Sequence, residues 1–546
     1  MTVAKKARKT PIPITMLSGF LGSGKTTLLE KILTTNHGLK VAVIINDMSE
    51  LNIDATLVQN HIVTKKEEKL IQLQNGCICC TLRGDLLEEL VGLAENGEFQ
   101  YIIIESTGIA EPMQVAETFS MEFSEMLLET PGGIPEDEEK LLKKVLEMGG
   151  LHKITKIDTC VTVIDALNFL SNIETTQFLA DRWGDNGQGE ADRTITDLMV
   201  DQIEFADVVI INKVSLIKKR KLRKIQKMIK GLNPVAKILK TDYCNVPMEE
   251  IINTNLFDFE KASTSAGWLQ SINEMTVRTG FGDKKKSVLT PKPETEEYGV
   301  NNFVYTARRP FHPERLYSML KDKFFIIEQT EIDDQADGEE MDEDEDGEDS
   351  SVSDQEEEIE EESEDGSAEL TEKQILKNKK KSSFGPLLRS KGFFWLATRH
   401  IMRGEWSSAG PMLTLKGGIP WFAVSGLEGV PDDAAKLIKQ EFEGEFGDRR
   451  NEIVFIGLNI EKKALTKDLD SCLLNDEEFA TFVAATKGKK NILKVEKELA
   501  TIFEDGFEDW FIFDEEDLED MAAEDPSKEV VEAINEEQHN HVDLVK

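Results

Sequence analysis

Ile14–Leu17 followed by Gly19-Phe20-Leu21-Gly22-Ser23-Gly24-Lys25-Thr26 is the stretch that decides the fold. The first four residues read as a short buried strand and Lys25–Leu33 reads as a helix. The eight residues of the turn fit G-x-x-x-x-G-K-[ST]. Glycines in such a turn let backbone N–H groups approach phosphate oxygens closely, and the helix start adds the positive end of its dipole. Lys25 is placed to reach β- and γ-phosphates and Thr26 to hold Mg²⁺. Gly19, Gly22, Ser23, Gly24, Lys25, Thr26 and Thr27 are therefore the expected phosphate-side contacts.

Four more apolar runs repeat the pattern: Val41–Ile45, Tyr101–Ile104, Val161–Ile164 and Val208–Ile211. Near-continuous β-branched runs separated by helical stretches such as Leu86–Leu93 imply an α/β domain with a mainly parallel sheet. Polar residues follow each run: Asn46, Asp47 and Glu50, then Glu105, Asp165, and Asn212-Lys213. Ligands bind at the carboxyl ends of such strands, so five runs aim chemistry at one edge. Glu105 stands where a carboxylate orients water or a Mg²⁺ ligand, which makes Lys25, Thr26 and Glu105 the expected catalytic set. Asp54 is a weaker candidate for a loop contact to the metal. Asn212-Lys213-Val214-Ser215 occupies the place of N-K-x-D, whose Asp accepts from guanine N–H groups. Ser215 has no carboxylate, so guanine selectivity is expected to weaken unless another residue substitutes, and Ser215→Asp is expected to sharpen it.

Cys77-Ile78-Cys79-Cys80 is the second chemical signal, just ahead of a helical run, Thr81–Leu93. Thiols at a helix start ionise more easily, and thiolate is the form that binds metal. Soft sulfur favours Zn²⁺ or Cu(I). The spacing is too tight to supply four tetrahedral ligands, so two or three sulfurs would bind and leave an open position; structural zinc sites, by contrast, are closed. Glu50 and Asp47 are the expected oxygen ligands. A redox pair and a cluster of buried apolar cysteines are the alternative readings. Cys160, Cys244 and Cys472 stand alone and read as core residues, and His312 as packed rather than ligating.

Composition sets the exclusions. The chain has 104 acidic against 64 basic residues, a formal charge of -40, which argues against nucleic acid and anionic membrane surfaces as partners. No apolar run approaches the roughly 20 residues of a membrane helix. Six cysteines, three in one tetrapeptide, are no disulfide framework and point to a reducing, cytoplasmic setting. The organisation expected is an N-terminal extension (1–10), a nucleotide-binding domain (11–262), a linker (263–298), a smaller α+β domain (299–514) and an acidic tail (515–546). The second domain is interrupted by an acidic insertion at 329–382. Within it, residues 331–369 hold 23 Asp or Glu among 39 residues and no Lys or Arg, a composition expected to stay disordered.

Together these residues resemble the CobW family of P-loop GTPases, relatives of the nickel-chaperone GTPases of hydrogenase and urease maturation. The resemblance is carried by the Gly19–Leu28 and Gly76–Leu86 stretches, Glu105-Ser106-Thr107-Gly108-Ile109-Ala110-Glu111-Pro112, and Gln202-Ile203 through Asn212-Lys213. Asn46-Asp47-Met48-Ser49-Glu50 resembles the branch linked to zinc limitation. Arg309–Leu316, Arg389–Trp395 and Phe503–Trp510 look like the family's carboxyl-terminal domain. The resemblance implies GTP hydrolysis, with Mg²⁺, coupled to delivery of Zn²⁺ from the Cys motif to a client metalloprotein. A homodimer is a further expectation. The alternative is a nucleotide-regulated metal buffer or sensor with little turnover. Under either reading, deleting 331–369 is expected to leave folding and basal hydrolysis nearly unchanged, because long surface loops are cheap to shorten. A melting temperature that drops steeply on deletion would contradict this.

Overall fold

A computed structural model of the chain describes residues 10–46, 69–73, 83–106, 108, 110, 112–117, 119, 136–147, 150–183, 193–258, 300–329, 370–427, 430, 432–488, 491–508 and 510. Asp47, Glu50, Asp54, Cys77, Cys79 and Cys80 lie outside these residues, as do the extension to residue 9, the linker, residues 331–369 and the tail.

The first sheet has seven strands, all parallel: β1 (Ile12–Ser18), β2 (Val41–Asn46), β3 (Lys69–Leu73), β4 (Tyr101–Glu105), β5 (Thr155–Asp165), β6 (Val208–Asn212) and β7 (Lys237–Lys240), in the order β3-β2-β4-β1-β5-β6-β7. Its central strands are buried on both faces, which is why they read as near-continuous apolar runs. One core cluster lies on each side, Leu28, Leu29 and Ile32 of helix α1 (Lys25–Thr34) covering one face and Leu86, Leu87 and Leu90 of α2 (Arg83–Asn96) the other. On a further part of the sheet, α3 (Ile195–Glu204) and α4 (Lys219–Leu232) bury Leu198, Met199, Ile225 and Ile229. The long β5 carries polar residues in its first half because a buried network satisfies them. Asp158 accepts from the Tyr101 hydroxyl at 2.8 Å and from the Thr254 and Asn255 amides at 2.9 Å. Burial, the largest influence, pushes the Tyr101 hydroxyl's pKa up.

The second sheet is mainly antiparallel, in the order β8-β13-β10-β11-β12-β9. Its strands are β8 (Val300–Ala307), β9 (Phe325–Gln329), β10 (Leu387–Phe394), β11 (Met402–Ala409), β12 (Met412–Pro420) and β13 (Asn451–Leu458), with only β9 and β12 parallel. Trp406, Phe455, Phe394 and Phe384 fill its core. His312 is packed, as expected, with its ring edge-on to Phe503 at 5.7 Å.

The end of the insertion is corrected. Residues up to 382 were expected to interrupt the domain, yet Glu372–Lys381 is a helix, α5, opened by a capping box between Thr371 and Gln374. It carries Lys373, Lys377, Lys379, Lys380 and Lys381. Lys379, however, is buried: its Nζ donates to the Leu387 and Gly410 carbonyls and lies 5.2 Å from the Phe324 ring centre. Burial pulls its pKa down to about 7. The two sheets share a joint, since Leu388, Leu458 and Ala409 pack into the same core as α3 and α4.

Candidate functional site

The nucleotide edge is built by the ends of β1, β4, β5, β6 and β7. Gly19, Gly22 and Gly24 all adopt positive φ. At Gly24 (φ 110°) the requirement is double, because a Cβ there would press on the Asn212 amide and the Cys244 sulfur. Lys25, the first residue of α1, is buried, and its Nζ donates to the Gly19 carbonyl at 2.8 Å. Ser23 is buried, and Thr26 and Thr27 sit half-buried in the first helical turn. Glu105 ends β4 opposite Leu17 of β1, which puts its buried carboxyl beside the strand that feeds the loop. The next residue, Ser106, donates through both N–H and hydroxyl to the Leu17 carbonyl. Gly108 comes so close to Leu21 that any side chain would collide with it, and Gln202 of α3 donates its amide to the Gly108 and Ala110 carbonyls at 3.2 and 3.4 Å.

Asn212 and Lys213 are tied to the phosphate loop directly. The Asn212 amide donates to the Ser23 carbonyl at 3.0 Å and its oxygen accepts from the Cys244 N–H at 3.0 Å. Lys213 donates to the Gly22 carbonyl at 2.8 Å and to Asp165 at 2.9 Å. Asn212 thus fixes the loop and the β7 connection as one piece. The residues 19–27, 105, 212 and 213 picked from sequence all gather at this edge. Asp242 did not figure in that reading. Its one sequence signal is its place just after β7, where each other strand of the edge also has a polar residue. Ser215 donates to it through both N–H and hydroxyl, at 2.9 and 2.8 Å. The lone cysteines are buried, as expected, and burial pushes the Cys244 thiol up to about 12.

For the metal site the described residues give only the anchors. β2 and β3 end side by side, Asn46 opposite Leu73, so the segments starting at Asp47 and Gln74 leave from neighbouring points of the edge that bears Glu105. Among the described residues no group of three or more His, Cys, Asp or Glu is arranged to hold a metal ion. None of the described helices is long and apolar enough to cross a membrane.

Comparison with known proteins fits this geometry. Residues 13–240 match the CobW/HypB/UreG nucleotide-binding domain and residues 370–473 the cobalamin synthesis protein cobW C-terminal domain. The zinc-regulated GTPase metalloprotein activator 1 of Dictyostelium discoideum is 36% identical over 477 residues, covering 86% of this chain and 81% of that protein. The chain belongs to the CobW family. A more distant member, the zinc chaperone CobW of Pseudomonas aeruginosa, is 28% identical over 258 residues, 45% of this chain and 60% of that one. Among solved structures, the Zn(II)-bound YjiA GTPase of E. coli aligns over 85% of this chain and all of its own, at 15% identity and a TM-score of 0.30.

Proposed function

We propose that this CobW-family protein couples GTP hydrolysis to the handling of Zn²⁺, holding the ion at Cys77, Cys79 and Cys80 with Glu50 or Asp47 and passing it to a client metalloprotein in the cytoplasm. GTP hydrolysis is the activity of the family, and the names of the Dictyostelium and Pseudomonas relatives speak for zinc. The carrying observation is the adjacency of β2, β3 and β4 at the nucleotide edge. The acidic segment after β2 starts beside β4, the strand that bears Glu105, and the Cys segment after β3 starts one strand further out. The residues present fit Mg·GTP: positive-φ glycines open the loop backbone, Lys25 supplies a cation, and Thr26 supplies a hydroxyl in the first helical turn. Mg²⁺ would there neutralise charge developing on the phosphates. Segments at such an edge respond to a γ-phosphate in switch GTPases.

Linkage makes this testable. If nucleotide alters zinc affinity, zinc must alter nucleotide affinity by the same factor, typically about 5- to 150-fold. Zinc titrated against a chromophoric chelator should give different affinities with GDP and with a non-hydrolysable GTP analogue, and the difference should vanish in the Cys77, Cys79 and Cys80 to Ser triple variant. Equal affinities in both nucleotide states would refute gating. Undiminished binding by the triple variant would remove the site itself.

A further inference from the structure

We propose that Asp242 is the carboxylate that reads the guanine base, taking over the role that Ser215 cannot fill; this rests on the GTP reading above and deepens it. In N-K-x-D proteins the carboxylate sits on the motif itself. Here β7 runs parallel to β6, so the loops that follow them leave the edge together. Ser215, two residues beyond Lys213, commits its N–H and its hydroxyl to the same Asp242 Oδ1. Oδ2 accepts no hydrogen bond among the described residues. One oxygen is thus fully engaged in holding the carboxylate to the motif, and the other keeps its acceptor capacity.

The loop that carries Asp242 is held rigidly. Thr241 N–H donates to the Ile211 carbonyl at 2.9 Å and Val214 N–H to the Thr241 carbonyl at 3.3 Å. The Thr241 hydroxyl donates to the Asn245 carbonyl at 2.9 Å, and Cys244 N–H to Asn212 at 3.0 Å. Tyr243 and Cys244 both lie in the left-handed region, φ 53° and 52°, as does Lys213 at 60°. Non-glycine residues take that conformation at a cost, and such strain gathers where surrounding structure over-determines a site. Asp242 itself is half-buried, and Tyr243 beside it is 79% exposed.

The chemistry follows from the base edges. Guanine offers two donors, N1–H and an N2–H, to a carboxylate. Adenine presents a ring-nitrogen lone pair and a C–H at those positions, so the carboxylate would face an acceptor. A site that hydrogen-bonds one ligand rejects the other mostly by leaving its own polar groups unpaired. Selectivity is therefore retained despite Ser215, and Ser215→Asp should no longer sharpen it. A second carboxylate would replace the hydroxyl donor, leave only the backbone N–H as an anchor, and repel Asp242.

The test is competition of GTP, XTP and ATP against a fluorescent GDP on the full-length chain. Wild type should prefer GTP to both. Asp242→Asn offers an N–H where the base has an N–H, so GTP affinity should fall roughly 10- to 100-fold, the worth of a hydrogen bond to a charged group. XTP, which carries a carbonyl at the same carbon, should gain and become the preferred ligand. Ser215→Ala should weaken GTP by less, since one of two anchors remains. If Asp242→Asn still prefers GTP to XTP while wild type is guanine-selective, Asp242 only caps the turn at Val214–Leu216 and the inference falls alone. A sharper guanine preference in Ser215→Asp would also overturn it. A wild type blind to the base would overturn both this inference and the GTP reading beneath it.

Discussion

Replacing Lys25 with alanine is expected to reduce GTP hydrolysis by at least about 100- to 1,000-fold, the size of effect seen when one preorganised donor to developing charge is removed. The reason is position. Lys25 is the first residue of α1, its ammonium lies over the loop that starts at Gly19, and it is only 8% exposed. A cation held there in a site screened from bulk water acts more strongly than one at the surface. The fold should survive, because the packing of α1 rests on Leu28, Leu29, Ile32 and Leu33 on its inner face. Phosphate release under saturating GTP measures the first effect, and the melting curve of the same sample the second. Turnover near wild type would mean that the phosphate loop is not the catalytic centre. An unfolded variant would move the test to Lys25→Met, which retains the buried stem and removes only the charge.

The phosphate site was legible in sequence because it depends on short-range order: a strand, a fixed spacing of glycines and a helix start. The same holds for the central strands β1, β2, β4, β5 and β6, whose burial on both faces leaves a near-continuous apolar run in each. β7 escaped detection because Lys237–Lys240 is an edge strand with both terminal lysines exposed, a composition that protects edges from further pairing. Helix α5 escaped for a related reason. Lys373, Lys377, Lys379, Lys380 and Lys381 follow an acidic stretch directly, inside the span expected to interrupt the domain. Nothing local tells that Lys379 turns inward to two carbonyls while its neighbour Lys380 pairs with Glu174 at 3.3 Å on the surface. The Ser215–Asp242 contact spans 27 residues and two strands. A motif search along the chain sees only a missing Asp, and only the parallel pairing of β6 and β7 brings the replacement alongside.

Arg389→Ala is expected to cost about 3–5 kcal/mol of stability, the price of leaving buried charge without its partner. Arg389 enters from β10 and is 3% exposed. It meets Asp197 at 2.9 Å, Asp201 at 3.2 Å and Glu204 at 3.6 Å. Residues at i, i+4 and i+7 share one face of α3, so Arg389 meets a whole acidic stripe between the two sheets, sharing Asp201 with Arg193 at 2.5 Å. Burial opposes the charge of Arg389, but Glu204, Asp201 and Asp197 together hold its pKa above the ordinary value. Burial raises the pKa of Asp197, and Arg389 pulls it back down. Without Arg389 that pKa climbs further in the folded state than in the unfolded one. The folded variant then binds more protons across the window above the ordinary carboxylate value, and its stability falls as pH rises through it. The loss should therefore be smaller at pH 5 than at pH 8 in denaturant titrations of wild type and variant. Arg389→Met combined with Asp197→Asn and Glu204→Gln should recover much of it, since Asp201 keeps Arg193 as its partner and neutral groups replace the rest of the buried ion network at little cost. A deficit under about 1 kcal/mol at both pH values would mean that water screens the joint. The same helix holds the Gly108 and Ala110 carbonyls through Gln202, so loosening its outer face should reach the segment after Glu105, and the Arg389→Ala variant should show altered GDP release as well as lower stability.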